Sequence, residues 1–267
     1  MSERNDYAIG EFCWVDLSTA DVERAKSFYT QLLGADTEVA PDFPDDAGEF
    51  GLFTRNGKRV AGYGPTVRDG QPSVWSSYIK VEDTDATAEK VKEAGGQVHF
   101  GPVDLPGGTG RMAALQDPTG AFVCIIEQRS HPGAQLVNEL GAWTWNNLMT
   151  RDVDAAKDFY GKVFGWTAEH NEEAPPGISM WQVEEQRWPE GMAGLMEITG
   201  DLPPEMPAHW QVYFVVENAD EAIKAAESQG AKLGFGPIDV PVARMATLVD
   251  PQGAVVSILE ARYPEPR

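Results

Sequence analysis

Apolar and polar residues alternate over Phe12–Thr19, with Val15 and Leu17 on one side and Trp14, Asp16 and Ser18 on the other. This two-residue period predicts a β-strand. The period then lengthens. Val22, Ala25, Phe28, Tyr29 and Leu32 recur at helical spacing as far as Gly34, which predicts an amphipathic helix closed by a glycine. Thr19 is placed as its N-cap, with Asp21 in the first turn, where the helix dipole favours an acid. Extended segments over Glu49–Thr54 and Arg59–Tyr63 follow, joined through Asn56-Gly57, a strong hairpin pair. The scheme then recurs. A strand is expected over Trp75–Val81, then a helix from Thr84 with Ala88, Val91 and Ala94 on its face and Gly95 at its end. Strands at Met112–Leu115 and Ala121–Glu127 are joined by Asp117-Pro118-Thr119-Gly120, which suits a type I turn. Each stretch is therefore a β-α-β-β module with room for one further strand. Phe100–Pro106 (FGPVDLP) is read as a loop shaped by its Gly-Pro pair.

The chain also repeats itself. Residues 10–34, GEFCWVDLSTADVERAKSFYTQLLG, align without a gap on residues 141–165, GAWTWNNLMTRDVDAAKDFYGKVFG. PSVWSSYIKVEDTDA from Pro72 matches PAHWQVYFVVENADE from Pro207, and FGPVDLP matches FGPIDVP from Phe235. RMAALQDPTGAFVCIIE from Arg111 matches RMATLVDPQGAVVSILE from Arg244. The order is preserved throughout, so a unit of roughly 130 residues has been duplicated in tandem. The expected domains are residues 8–129 and 140–263, with 130–139 and its Pro132-Gly133 break as linker.

Composition narrows the function classes. Asp and Glu total 42 against 21 Lys and Arg, a formal net charge of −21. Duplex affinity comes mainly from Lys and Arg neutralising phosphates, so no nucleic-acid partner is expected. An anionic membrane surface is excluded on the same ground. The hydrophobic fraction of 42% supplies a real core. No run approaches the ~18 apolar residues of a membrane span, and the first residues lack the layout of a signal peptide. A cytoplasmic location is expected, and Cys13 and Cys124 are read as thiols.

The segments LSTADVERAKSFYTQLLG, VEDTDATAEKVKEAGG and RMAALQDPTGAFVCIIE, with their second-unit counterparts, resemble the vicinal oxygen chelate superfamily of glyoxalases, bleomycin-resistance proteins and extradiol dioxygenases. The resemblance runs from Ile9 to Glu260 and extends to a tandem-domain actinobacterial branch labelled glyoxalase-like or hydroxylase. It implies an α+β fold of two tandem domains, each of two βαβββ modules forming an open cup-shaped sheet. It also implies metal ligands on the first strand of each module, usually His, and near the end of the last, usually Glu. Carried over position by position, those sites fall on Trp14, Ser76 and Cys124, and on Trp145, Gln211 and Ser257. Divalent ions need converging His or carboxylate ligands, so neither metal nor cofactor is expected. The histidines show no HxH, HxxxH or HxxE spacing. His99, His131 and His170 are read as surface or linker residues, His209 as preceding a strand, and Glu127 and Glu260 as solvated strand-end acids.

The alternation that turns Val15 inward aims Trp14, Asp16, Ser18, Ser76, Tyr78, Phe122, Cys124 and Ile126 into one hollow. In the second unit it aims Trp145, Asn147, Met149, Gln211, Tyr213, Val255 and Ser257 into another. An aromatic-lined concavity with few polar groups is a usual small-molecule site, although a strand Trp also fills cores. The candidate ligand-binding residues are Trp14, Asp16, Ser76, Tyr78, Cys124, Trp145, Asn147, Gln211, Tyr213 and Ser257. Asp16 could act as a general base if desolvation raised its pKa; Asn147 could not. Cys124 has no adjacent cation and is read as a small buried thiol. Arg111 and Arg244 fit either anion binding or a structural ion pair. The GGTG at Gly107 lacks the strand-to-helix crossing of a phosphate loop. The expected function is metal-independent binding of a small molecule, with no catalytic residue assigned. One alternative is a metal-dependent glyoxalase-like lyase or isomerase, or a hydroxylase or dioxygenase, with ligands among Glu49, His209 and Glu197. Another is an acidic module for a basic protein partner. Four modules close two cups within one chain, so a monomer and a homodimer both fit.

Overall fold

The computed structural model describes residues 3–40, 49–68, 70–170, 178–183, 193–200 and 202–262. The first module runs β1 (Phe12–Thr19), α1 (Val22–Leu33), β2 (Asp36–Val39), β3 (Gly51–Arg55) and β4 (Lys58–Pro65). The second runs β5 (Val74–Lys80), α2 (Thr84–Glu93), β6 (Gln97–Asp104), β7 (Gly110–Gln116) and β8 (Phe122–Gln128). The duplicate follows with β9 (Trp143–Thr150), α3 (Val153–Phe164), β10 (Thr167–His170), β11 (Ile178–Gln182) and β12 (Ala193–Glu197). It ends with β13 (His209–Val215), α4 (Ala219–Ser228), β14 (Lys232–Val240), β15 (Ala243–Val249) and β16 (Val255–Ala261). Each module is thus βαβββ. The two sheets have the same order, β2-β3-β4-β1-β5-β8-β7-β6 and β10-β11-β12-β9-β13-β16-β15-β14. The first strands of paired modules meet antiparallel at the centre, β1 on β5 and β9 on β13.

Local chemistry accounts for most element ends, with two departures from expectation. Asp21, not Thr19, caps α1: its extended backbone lets the carboxylate accept from Arg24 N at 3.0 Å. Thr19 is still in the β1 ladder opposite Pro65, and its hydroxyl accepts from Asp21 N instead. Phe100–Pro106 is not wholly a loop, because β6 continues to Asp104. Gly101, at φ +80, lets it do so. A Cβ there would stand 2.5 Å from Met112 O, and the register slips around it. Asn56 (φ 51) and Gly57 (φ 70) make the expected hairpin between β3 and β4.

The sheets meet through their helix-bearing faces. Trp75 and Ser77 point away from the cup side of β5 and touch the second domain: Trp75 packs on Phe214 with ring centroids 5.0 Å apart, and Ser77 Oγ donates to Asn146 Oδ1 at 2.9 Å. Two equivalent latches cross this interface. Trp75 Nε1 donates to Tyr29 Oη, which donates to Asp250 Oδ2, both at 2.9 Å. Trp210 Nε1 donates to Tyr160 Oη at 2.6 Å, and Tyr160 donates to Asp117 Oδ2 at 3.1 Å. Asp117 and Asp250 also tie their own turns, accepting from the N–H of Ala121 and Ala254. One continuous core results, with Phe28, Tyr29, Phe159, Tyr160 and Phe214 almost wholly buried. The segment between β8 and β9 is fastened too: Ala134 N donates to Cys13 O at 2.8 Å, and Tyr7 Oη to Ala134 O at 2.6 Å. Both cysteines are free and buried. Among the described residues no helix is long and apolar enough to cross a membrane.

Candidate functional site

In the first sheet, registers Trp14↔Tyr78, Asp16↔Ser76, Asp16↔Gly62 and Tyr78↔Cys124 bring these side chains to one face across β4, β1, β5 and β8. This face is the cup side, opposite Trp75 and Ser77. Trp14 is buried, with its indole over Gly62, where a Cβ would stand 3.1 Å from the ring. The ring of His131 meets Trp14 edge-on at 4.8 Å. His131 lies just after β8, and the fold carries it onto the cup. Nothing in its local sequence announces that contact.

Asp16 sits at the centre of this face, partly exposed. Tyr78 Oη donates to its Oδ2 at 2.8 Å. Burial pushes the Asp16 carboxyl up to about 6 against the lowering effect of that hydrogen bond. Burial, with the Asp16 charge added, holds the Tyr78 phenol well above its ordinary range, so it remains a donor. The Cys124 thiol is likewise pushed up by burial and then by Asp16, so it is no nucleophile at neutral pH. The cup can therefore offer one carboxylate, one phenol and an indole to a guest.

The second cup repeats the geometry with neutral groups. Registers Tyr213↔Trp145, Gln211↔Asn147, Gly194↔Asn147 and Tyr213↔Ser257 gather the duplicate set. Gln211 Nε2 donates to Ser257 Oγ at 2.6 Å and to Thr247 Oγ1 at 3.2 Å. His209 is the first residue of β13 and bonds Gln211 Oε1 at 3.0 Å, so it reaches the edge of this network. Burial pushes the Tyr213 phenol up to about 12. Asn147 Nδ2 donates to Met149 Sδ at 3.3 Å, while Asn147 Oδ1 is buried without a hydrogen-bond partner. A Cβ on Gly194 would stand 2.1 Å from that oxygen, so a larger residue there must displace the amide.

Other expected features fall elsewhere. Phe122 and Val255 are about half exposed, at 54% and 44%, and do not line a closed hollow. Arg111 binds both carboxylate oxygens of Asp85, and Arg244 bridges Asp220 and Asp239, so each arginine is engaged in an ion pair. Glu260 accepts from Ala219 N at the start of α4, and Glu127 pairs with Arg129. His99 lies against Phe122 and bonds Gln116 on the surface. The side chain of His170 lies outside the described residues. A separate groove of about 440 Å³ opens at the start of α3, lined by Arg151, Asp152, Val153, Asp154, Ser179, Leu195 and Glu197; it contains no candidate ligand-binding residue.

The three places per domain where a metal would be held do not fit one. Indole nitrogen has no free lone pair, Ser76 and Ser257 carry neutral hydroxyls and Gln211 a neutral amide, which leaves Cys124 as a lone thiol at these places. Glu49 is engaged by Lys26 at 2.7 Å. Among the described residues no three His, Cys, Asp or Glu side chains are grouped to hold an ion.

The model of the Glyoxalase/Bleomycin resistance protein/Dioxygenase superfamily matches the chain twice, over residues 12–125 and 142–258. The chain belongs to this superfamily. "Putative glyoxylase CFP32" of Mycobacterium bovis is 40% identical over 267 residues, covering 97% of this chain and 98% of its own. "Anthracycline biosynthesis protein DnrV" of Streptomyces peucetius is 33% identical over 279 residues, covering 97% and 96%. Among solved structures, the 2,3-dioxygenase LapB from Pseudomonas sp. KL28 superposes with a TM-score of 0.63 at 13% identity, over 98% of this chain and 97% of that one. That last likeness speaks for the fold alone. Membership of the superfamily explains the paired βαβββ modules but does not choose among its chemistries.

Proposed function

We propose that the protein binds a flat or apolar small molecule in one or both cups without a metal ion. One observation carries the reading. At the ligand places of both domains the chain holds Trp14, Ser76 and Cys124, then Trp145, Gln211 and Ser257, side chains that pack or hydrogen-bond rather than ligate. Aromatic faces with a few fixed polar groups suit a planar guest. A full-length relative named for anthracycline biosynthesis supports the same class, since anthracyclines are fused-ring aromatics. On this reading the chain works as two domains, residues 8–129 and 140–263 joined through 130–139, in a monomer or a homodimer. Two buried free thiols suit a reducing, cytoplasmic setting.

The test follows tryptophan fluorescence and thermal shift of the full chain against a library of fused-ring aromatics, with Trp14→Ala and Trp145→Ala alongside. Saturable quenching and a raised Tm are expected, with each variant losing the response of its own cup. At a ligand concentration 100 times Kd the added stability is about 2.7 kcal/mol. A flat response across the library, or variants that only unfold, refutes the reading. Metal analysis after mild chelation and reconstitution bears on the other half: stoichiometric, tightly held Zn, Ni or Fe overturns metal independence.

A further inference from the structure

We infer that the first cup is built for a ligand carrying a protonated amine on an aromatic or apolar body, with Asp16 as the counter-ion. The inference rests on the cups being ligand sites. Asp16 Oδ2 is taken by the Tyr78 hydroxyl, which leaves the carboxylate short of partners for its remaining lone pairs. The groups beside it in the sheet are Tyr78 and Ser76 from β5, Cys124 from β8 and Gly62 from β4, none of them positively charged, and the titratable ring of His131 lies against Trp14 on the same face. Among the described residues, the lysines and arginines in ion pairs all engage other acids, such as Asp85, Asp104, Glu49 and Asp239. A carboxylate drawn partly out of water, with only a phenol for partner among the described residues, is destabilising, and a cation relieves it. Its pKa near 6 still leaves it ionised at neutral pH. Trp14 and Tyr78 present aromatic rings on the same face, where a cation is also attracted to the ring quadrupole.

The duplication supplies a matched control within the molecule. Asn147 stands where Asp16 stands, with Gly194 for Gly62, Tyr213 for Tyr78 and Gln211 for Ser76. Its buried and unpartnered Oδ1 can accept from a neutral N–H or O–H but provides no counter-charge. The two cups therefore share a strand register and differ in the charge they ask of a guest.

The experiment uses the full chain at pH 7.5 and 150 mM salt, with 2-naphthylmethylamine and its neutral counterpart 2-naphthylmethanol as probes, read by calorimetry and tryptophan fluorescence. Wild type is expected to bind the amine on the order of tenfold or more tightly than the alcohol, the worth of a charge-assisted hydrogen bond. Asp16→Asn abolishes that preference and keeps alcohol binding. Asn147→Asp, an isosteric change in the other cup, adds a second amine-preferring site, and this arm decides the matter even if Asp16→Asn is poorly folded. Equal binding of the two probes by wild type, or a preference that survives Asp16→Asn, overturns the inference while leaving the cups as ligand sites. No binding of either probe overturns the inference, and with a flat library screen overturns the reading beneath it.

Discussion

Replacing Asp16 by Asn isolates the energetic consequence of placing a carboxylate on the cup floor. Burial holds the group at about 6 instead of its ordinary 3.8. The folded chain therefore binds this proton more tightly than the unfolded chain does. Between those two values the folded state carries more protons, so its stability falls as pH rises through the window and levels off above it. Integrated to pH 7.5, the difference is about 3 kcal/mol against the folded state, and about 1.4 kcal/mol of it develops between pH 5 and pH 7.5. The carboxamide removes this penalty but accepts the Tyr78 hydrogen bond without charge assistance, a loss of about 1 kcal/mol. Asp16→Asn is then expected to be more stable than wild type by about 1–2 kcal/mol at pH 7.5, or a few degrees in Tm. Urea unfolding of both proteins by tryptophan fluorescence, at intervals from pH 5 to pH 8, measures the difference directly. The other acids titrate alike in both and cancel. A variant no more stable at pH 7.5, or a difference that does not grow with pH, refutes the assignment of Asp16 as a desolvated and uncompensated charge.

The cross-domain latches make a second target. Tyr29→Phe leaves Trp75 Nε1 and Asp250 without a shared partner, and Tyr160→Phe does the same to Trp210 and Asp117; each is expected to cost about 1–3 kcal/mol in urea titrations. A loss below about 0.5 kcal/mol would show the latches to be incidental. Gly194→Ala drives a methyl group to 2.1 Å from Asn147 Oδ1, whereas at Gly62 the nearest atoms are 3.1 Å away. The first substitution should therefore lower Tm clearly more than the second, by about 1–3 kcal/mol of overpacking; equal effects would contradict the geometry of the second cup. Both thiols are buried and pushed up in pKa by that burial. Iodoacetamide at pH 8 should modify neither Cys13 nor Cys124 in the native protein and both in urea, and rapid native labelling of Cys124 would show an open cup floor.

The relation of sequence to structure differs from element to element. The period of two in Phe12–Thr19 and of 3.6 in Val22–Leu33 was legible because side-chain direction in a strand or helix follows from backbone geometry alone. The tandem repeat likewise transferred one unit's assignment to the other, and the cup faces of β1 and β9 followed by simple alternation. Alternation says which side a residue takes, but neither how deep it lies nor what stands across from it. Phe122 shares the face of Cys124 and is exposed, whereas Cys124 is buried. Capping turned on a two-residue shift: Thr19 and Asp21 both suit an N-cap by type, and the extent of the β1 ladder decided between them. The contacts that give the candidate site its chemistry join residues far apart in sequence, Tyr78 with Asp16 and His131 with Trp14, as does the interdomain latch of Tyr29 on Asp250. The residue types and the faces they occupy belong to the chain's local pattern. The partial desolvation of Asp16, the absence of a charged partner for it among the described residues and the latching of one domain on the other arise only when the sheets close, because burial and partnership depend on the packed neighbourhood rather than on adjacent residues.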